Sequence, residues 1–104
     1  MRAIDDATQR LTKQLMDEGK LIESGFALFA HYVIPKDASQ TQIREMRLAW
    51  MASAEHLFSS IMSALEPGEE PSDADMKRMD LIVKELDYWR AFLSERVHPV
   101  QGSA

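Results

Sequence analysis

Residues 48–65 read LAWMASAEHLFSSIMSAL, and only Glu55 in the stretch is formally charged. Trp50, Ala54, Leu57, Phe58, Ile61 and Leu65 recur at spacings of three or four, the period of one face of an α-helix. Nothing in the stretch alternates with the period of two that a half-buried strand needs. Its other side is not a charged surface but the small polar series Ser53, His56, Ser60 and Ser63. A helix so poor in charge has to be covered on more than one side.

Working outward, proline marks where this helix begins and ends. Ile34-Pro35-Lys36-Asp37-Ala38-Ser39 precedes it and Glu66-Pro67-Gly68-Glu69-Glu70-Pro71-Ser72 follows it. Proline lacks the backbone donor and clashes with the preceding turn, so each stretch stops a helix. Ser39 is a good N-cap, and Gln42 three residues on completes a capping box. The second segment therefore spans about Gln40–Leu65, and its stripe also takes in Ile43 and Met46.

The first segment, about Asp5–Val33, carries Ile4, Leu11, Leu15, Ile22, Phe26, Phe29 and Val33 on one stripe. Leu21, Gly25, Leu28 and Tyr32 form a second. Gly19 and Gly25 each lower helix propensity by about 1 kcal/mol relative to alanine. A bend near Asp17–Lys20 would make residues 1–18 an arm. From Leu21 to Ile34 the only charge is Glu23.

The third segment, about Asp73–Val97, is capped by Ser72, with Asp73 and Asp75 in the turn where negative charge suits the helix dipole. Met76, Met79, Ile82, Val83, Leu86, Trp89, Leu93 and Val97 form its stripe, and nine charged residues between Met76 and Val97 make it an ordinary amphipathic helix. Asp73–Lys77 and Asp80–Lys84 are acid-first i,i+4 pairs. Pro99 ends it, and 99–104 is a tail.

The expected fold is all-α: a three-helix up-down-up bundle or an elongated helical hairpin. Residues 1–18 form the N-terminal helical arm, 19–98 the helical domain and 99–104 the tail. Two charge-poor helices in one small chain are most simply covered by a second copy, so a homodimer through the first and second helices is expected.

The 104 residues suit one domain, and the chain has no cysteine for a disulfide, thiolate metal site or cysteine nucleophile. The start, Met1-Arg2-Ala3-Ile4-Asp5-Asp6, is acidic and lacks the apolar run of a signal peptide. The longest apolar stretch, Leu21–Ile34, is shorter than the roughly 20 residues of a membrane span. A cytoplasmic protein without membrane association is expected.

Chemical motifs are sparse. His31, His56 and His98 make no Glu-x-x-His pair of the kind that holds a di-iron site in a bundle. His56 and Ser60 lie one turn apart, but a smooth helix supplies no third orienting group and no oxyanion hole. The acids between Glu66 and Asp75 lack the ligand alternation and central glycine of a calcium loop. Arg44 with Arg47, and Lys77 with Arg78, are too few for a nucleic-acid stripe. No catalytic, cofactor-binding or metal residue is therefore assigned, no cofactor is expected, and the chain reads as a non-enzyme.

The net charge of −5 comes from 17 acids and 12 bases. Five of the acids, Glu66, Glu69, Glu70, Asp73 and Asp75, share ten residues with no base, and the rest of the chain is balanced. The acidic tip, not an acidic body, sets the charge.

Ala54-Glu55-His56-Leu57-Phe58-Ser59-Ser60-Ile61-Met62, followed by Glu66-Pro67-Gly68-Glu69-Glu70-Pro71-Ser72-Asp73-Ala74-Asp75, resembles a group of small uncharacterised bacterial proteins, some prophage-associated. The resemblance covers about Gly19–Glu85. It implies a small all-helical bacterial protein and carries over no catalytic residue.

Two functions fit. One is a non-enzymatic helical module that binds an unidentified protein partner, set in a phage-derived accessory or regulatory role. The other is a binder of a small apolar ligand, in a pocket lined by Phe26, Phe29, Trp50, Phe58 and Trp89 with His56 as the orienting polar group.

Overall fold

The computed structural model describes residues 5–97. They form four α-helices and no strand: α1 Asp6–Asp17, α2 Leu21–Tyr32, α3 Gln40–Ala64 and α4 Asp73–Val97. Ile4, His98, Pro99 and the tail after it lie outside the described residues. The chain divides into two units, Met1–Ala54 and Glu55–Ala104, with α3 contributing to both.

The single first segment expected from periodicity is two helices. Asp5 caps α1, its carboxylate accepting from the Thr8 N–H at 2.8 Å. At the other end Gly19 takes φ +70°, the left-handed conformation that glycine adopts without penalty. The Lys20 N–H then reaches back to the Leu15 carbonyl at 2.8 Å, and the Gly19 N–H to that of Met16 at 3.0 Å. This paired closure is a Schellman motif, and it terminates α1 instead of bending a longer helix.

The second and third segments start where capping chemistry places them. The Ser39 N–H donates to Gln42 Oε1 at 2.8 Å and the Gln42 N–H donates to Ser39 Oγ at 3.1 Å, a reciprocal capping box. Before it, α2 stops at Tyr32, and Pro35 follows a buried Ile34. At α4 the Asp75 N–H donates to Ser72 Oγ at 3.1 Å. Asp80 and Lys84 form the acid-first pair at 3.0 Å on the exposed side of α4.

Burial departs from the expected stripes. Among the described residues Phe26 and Ile34 are the buried apolar side chains. On α3, Ile43, Trp50, Ala54 and Ile61 are half-buried, whereas Leu57 and Phe58 are exposed. On α4, Met79, Ile82 and Val83 are half-buried, whereas Met76, Leu86, Trp89 and Leu93 are exposed. A period of three or four shows which side chains share a face. Whether another element covers that face depends on packing, and here the described residues cover each face only in part.

Candidate functional site

Three groups of residues stand out, and each belongs to one unit. The first is an aromatic hub in Met1–Ala54. Phe26 is buried, its ring centroid 6.1 Å from Trp50 in an edge-on arrangement and 6.4 Å from Phe29. Phe29 and Trp50 stand 5.1 Å apart. The Trp50 indole N–H donates to the Ile22 carbonyl at 3.0 Å, tying α3 to α2. Gly25 lets the indole in: a Cβ at that position would lie 3.1 Å from the Trp50 ring. Arg47 pairs with Glu23 and lies 5.5 Å over the Phe26 ring, a cation–π contact.

This hub gathers three of the five aromatics expected to line a ligand pocket. They fill the space between α2 and α3 by touching one another. The other two, Phe58 and Trp89, are exposed. A shallow cleft of about 220 Å³ lies elsewhere in the unit, lined by Ala30, His31, Ile34, Pro35, Lys36 and Ile43. It is smaller than the roughly 300–1,000 Å³ typical of small-molecule sites.

The second group is a clasp in Glu55–Ala104 that joins the end of α3 to the start of α4. Asp75 is only 1% exposed. Its carboxylate accepts from the Glu66 N–H at 3.2 Å, from the Ser72 N–H at 3.2 Å and from the Arg78 guanidinium at 3.2 Å. The Ser72 hydroxyl donates to Glu66 Oε1. Burial pushes the Asp75 carboxyl up, but the Ser72 and Glu66 backbone donors, the Ser72 side chain and the Arg78 charge outweigh it and hold Asp75 below its ordinary value.

The acidic tip is therefore not uniformly solvated. Asp75 is a buried structural carboxylate, whereas Glu69, Glu70 and Asp73 remain exposed. The sequence carried the signal: Ser72 and Asp75 stand at the two ends of a capping box, with aspartate in place of the more common glutamate.

The third group is the outer face of α4. Leu81, Tyr88, Trp89 and Phe92 are 53%, 69%, 55% and 54% exposed. Tyr88 and Trp89 stand 5.3 Å apart, as do Trp89 and Phe92. Of these residues only Trp89 belonged to the expected stripe. Leu81, Tyr88 and Phe92 have their own spacing of seven and four, which the reading of α4 as an ordinary amphipathic helix passed over.

The residues weighed for chemistry do not converge. Ser53, His56, Ser60 and Ser63 are all exposed along α3. Glu55 accepts from the Ser59 hydroxyl at 2.7 Å. Among the described residues no cluster of three or more His, Asp or Glu side chains could hold a metal ion. No helix among them is long and apolar enough to cross a membrane. No protein family matches the chain, and no curated protein or solved structure matches it either.

Proposed function

We propose that this chain is a non-enzymatic helical interaction module that works as a homodimer and presents a surface to another protein. The observation that supports this most is the apolar exposure on every helix. Leu11 and Met16 on α1, Leu28 and Tyr32 on α2, and Leu48 and Phe58 on α3 are each more than half exposed. Isolated apolar residues are common on protein surfaces, but repeated large ones along helix faces mark association. Under this proposal a second copy covers the faces of α1 to α3, the first and second segments of the sequence reading.

A non-enzymatic role is in keeping with the setting of His56 and Ser60. Both are exposed on a regular helix whose amides are committed to helix hydrogen bonds. The phage-derived accessory setting rests on the sequence resemblance alone.

Leu28 and Tyr32 sit one turn apart on α2, and polar replacement of exposed residues leaves the aromatic hub in place. The double variant Leu28→Gln/Tyr32→Gln is expected to weaken self-association at least about tenfold, since each buried apolar side chain is worth about 1.5–3 kcal/mol. Sedimentation equilibrium checks this, with circular dichroism confirming unchanged helix content. An unaltered dissociation constant would remove α2 from the interface.

A further inference from the structure

We infer that the outer face of α4 is a self-pairing seam, on which the α4 of a second copy lies antiparallel about a two-fold axis near residues 86–87. The inference rests on the homodimer reading above and adds a surface which that reading does not include.

The seam is defined by spacing. Arg78, Leu81, Glu85, Tyr88, Phe92 and Glu95 follow one another at intervals of three, four, three, four and three. That is the a/d repeat of a coiled coil, and it confines the six side chains to an arc of about 100°. All six are exposed. Met79, Ile82 and Val83, half-buried, lie to one side of this arc, so the seam is not the half-buried face of α4.

The same six positions are self-complementary when reversed. Turned end for end about the two-fold, Arg78, whose half-exposed guanidinium also holds Asp75 of its own chain at 3.2 Å, meets Glu95, Leu81 meets Phe92, and Glu85 meets Tyr88. The pairs are a cation with a carboxylate, two apolar side chains, and a carboxylate with a phenol that can donate to it. A parallel pairing instead sets Glu85 against Glu85 and Arg78 against Arg78, which repels. An isologous contact requires such a match of a surface with its own reverse.

Aromatic side chains present about 150–250 Å² each. Leu81, Tyr88 and Phe92, at 53%, 69% and 54% exposure, leave roughly 350 Å² of apolar surface uncovered on the seam. That is about half of the roughly 800 Å² per partner of a standard interface, so the seam adds to the α1 to α3 faces of the same dimer and does not replace them.

The test exploits a cysteine-free chain. Leu81 and Phe92 are eleven residues apart on one helix, about 16 Å, too far for a disulfide within a chain. The double variant Leu81→Cys/Phe92→Cys is expected to form a covalent dimer under mild oxidation, at least about tenfold faster than either single variant. Equal rates for the double and single variants would overturn the antiparallel seam. In parallel, Leu81→Gln/Tyr88→Gln/Phe92→Gln should raise the self-dissociation constant at least about a hundredfold at unchanged helix content. A wild-type dimer that this triple variant leaves intact overturns the seam and spares the homodimer reading. A wild-type chain that stays monomeric overturns both.

Discussion

Phe26→Ala is expected to destabilise the Met1–Ala54 unit by about 3–5 kcal/mol, the range for truncating a buried phenylalanine. Phe26 is 3% exposed and touches both other rings of the hub, with Arg47 over its face. Its removal takes away apolar burial and leaves a void beside Trp50 and Phe29. It also removes the ring on which Arg47 rests. The void cannot be closed cheaply, because the Trp50 indole is fixed by its bond to the Ile22 carbonyl and seated against Gly25. Urea unfolding followed by tryptophan emission measures the loss, with Trp50 as the local reporter. A change below about 1 kcal/mol would mean that the hub is not the centre of this unit.

Asp75→Ala is expected to be the most damaging single change among the five acids of the α3–α4 connection. The carboxylate of Asp75 satisfies the N–H groups of Glu66 and Ser72 and anchors Arg78. Without it both amides lose their acceptor at a site shielded from water. Glu69 and Glu70 are exposed, and their alanine variants should melt within error of wild type, while Asp73→Ala should cost only the few tenths of a kcal/mol of an exposed first-turn acid. Asp75→Asn should fall between, since one amide oxygen replaces two carboxylate oxygens.

The pH dependence follows from the same contacts. Asp75 is held below its ordinary value in the folded chain. Its contribution is thus fully present above the unfolded carboxyl value, about 3.9, and is lost as the pH falls through the lower folded value. Thermal melts of wild type between about pH 5 and pH 2 should decline more steeply than those of Asp75→Asn. Parallel curves would contradict the clasp.

What could be read in the sequence was local. Ser39 with Gln42, and Ser72 before α4, were legible because capping depends on residues three apart. Pro35 and Pro67 were legible as breaks for the same reason. Gly19 showed where the first segment weakens. That it ends α1 outright depends on Lys20 and Gly19 both reaching back to carbonyls of the last turn, a geometry that composition does not specify.

Burial was much less legible. The spacing of Leu86, Trp89 and Leu93 predicts a shared face, and they do share one, but among the described residues nothing covers them fully. Leu81, Tyr88 and Phe92 form a separate seam beside it, hidden in the sequence by Glu85 and Glu95. As for the candidate ligand pocket, Phe26 and Phe29 on α2 do meet Trp50 on α3, whereas Phe58 and Trp89 are exposed. The mutual contacts of the first three use the space that a ligand would need.

The central claim is that the apolar helix faces are closed by a second copy of the chain. Sedimentation equilibrium of the wild-type protein between about 1 and 200 μM tests it directly, because any dimer tighter than about 100 μM is populated within that range. The account predicts a mass that rises to twice 11.9 kDa within that range. A mass that stays at 11.9 kDa throughout, with an unfolding midpoint independent of concentration, would contradict it.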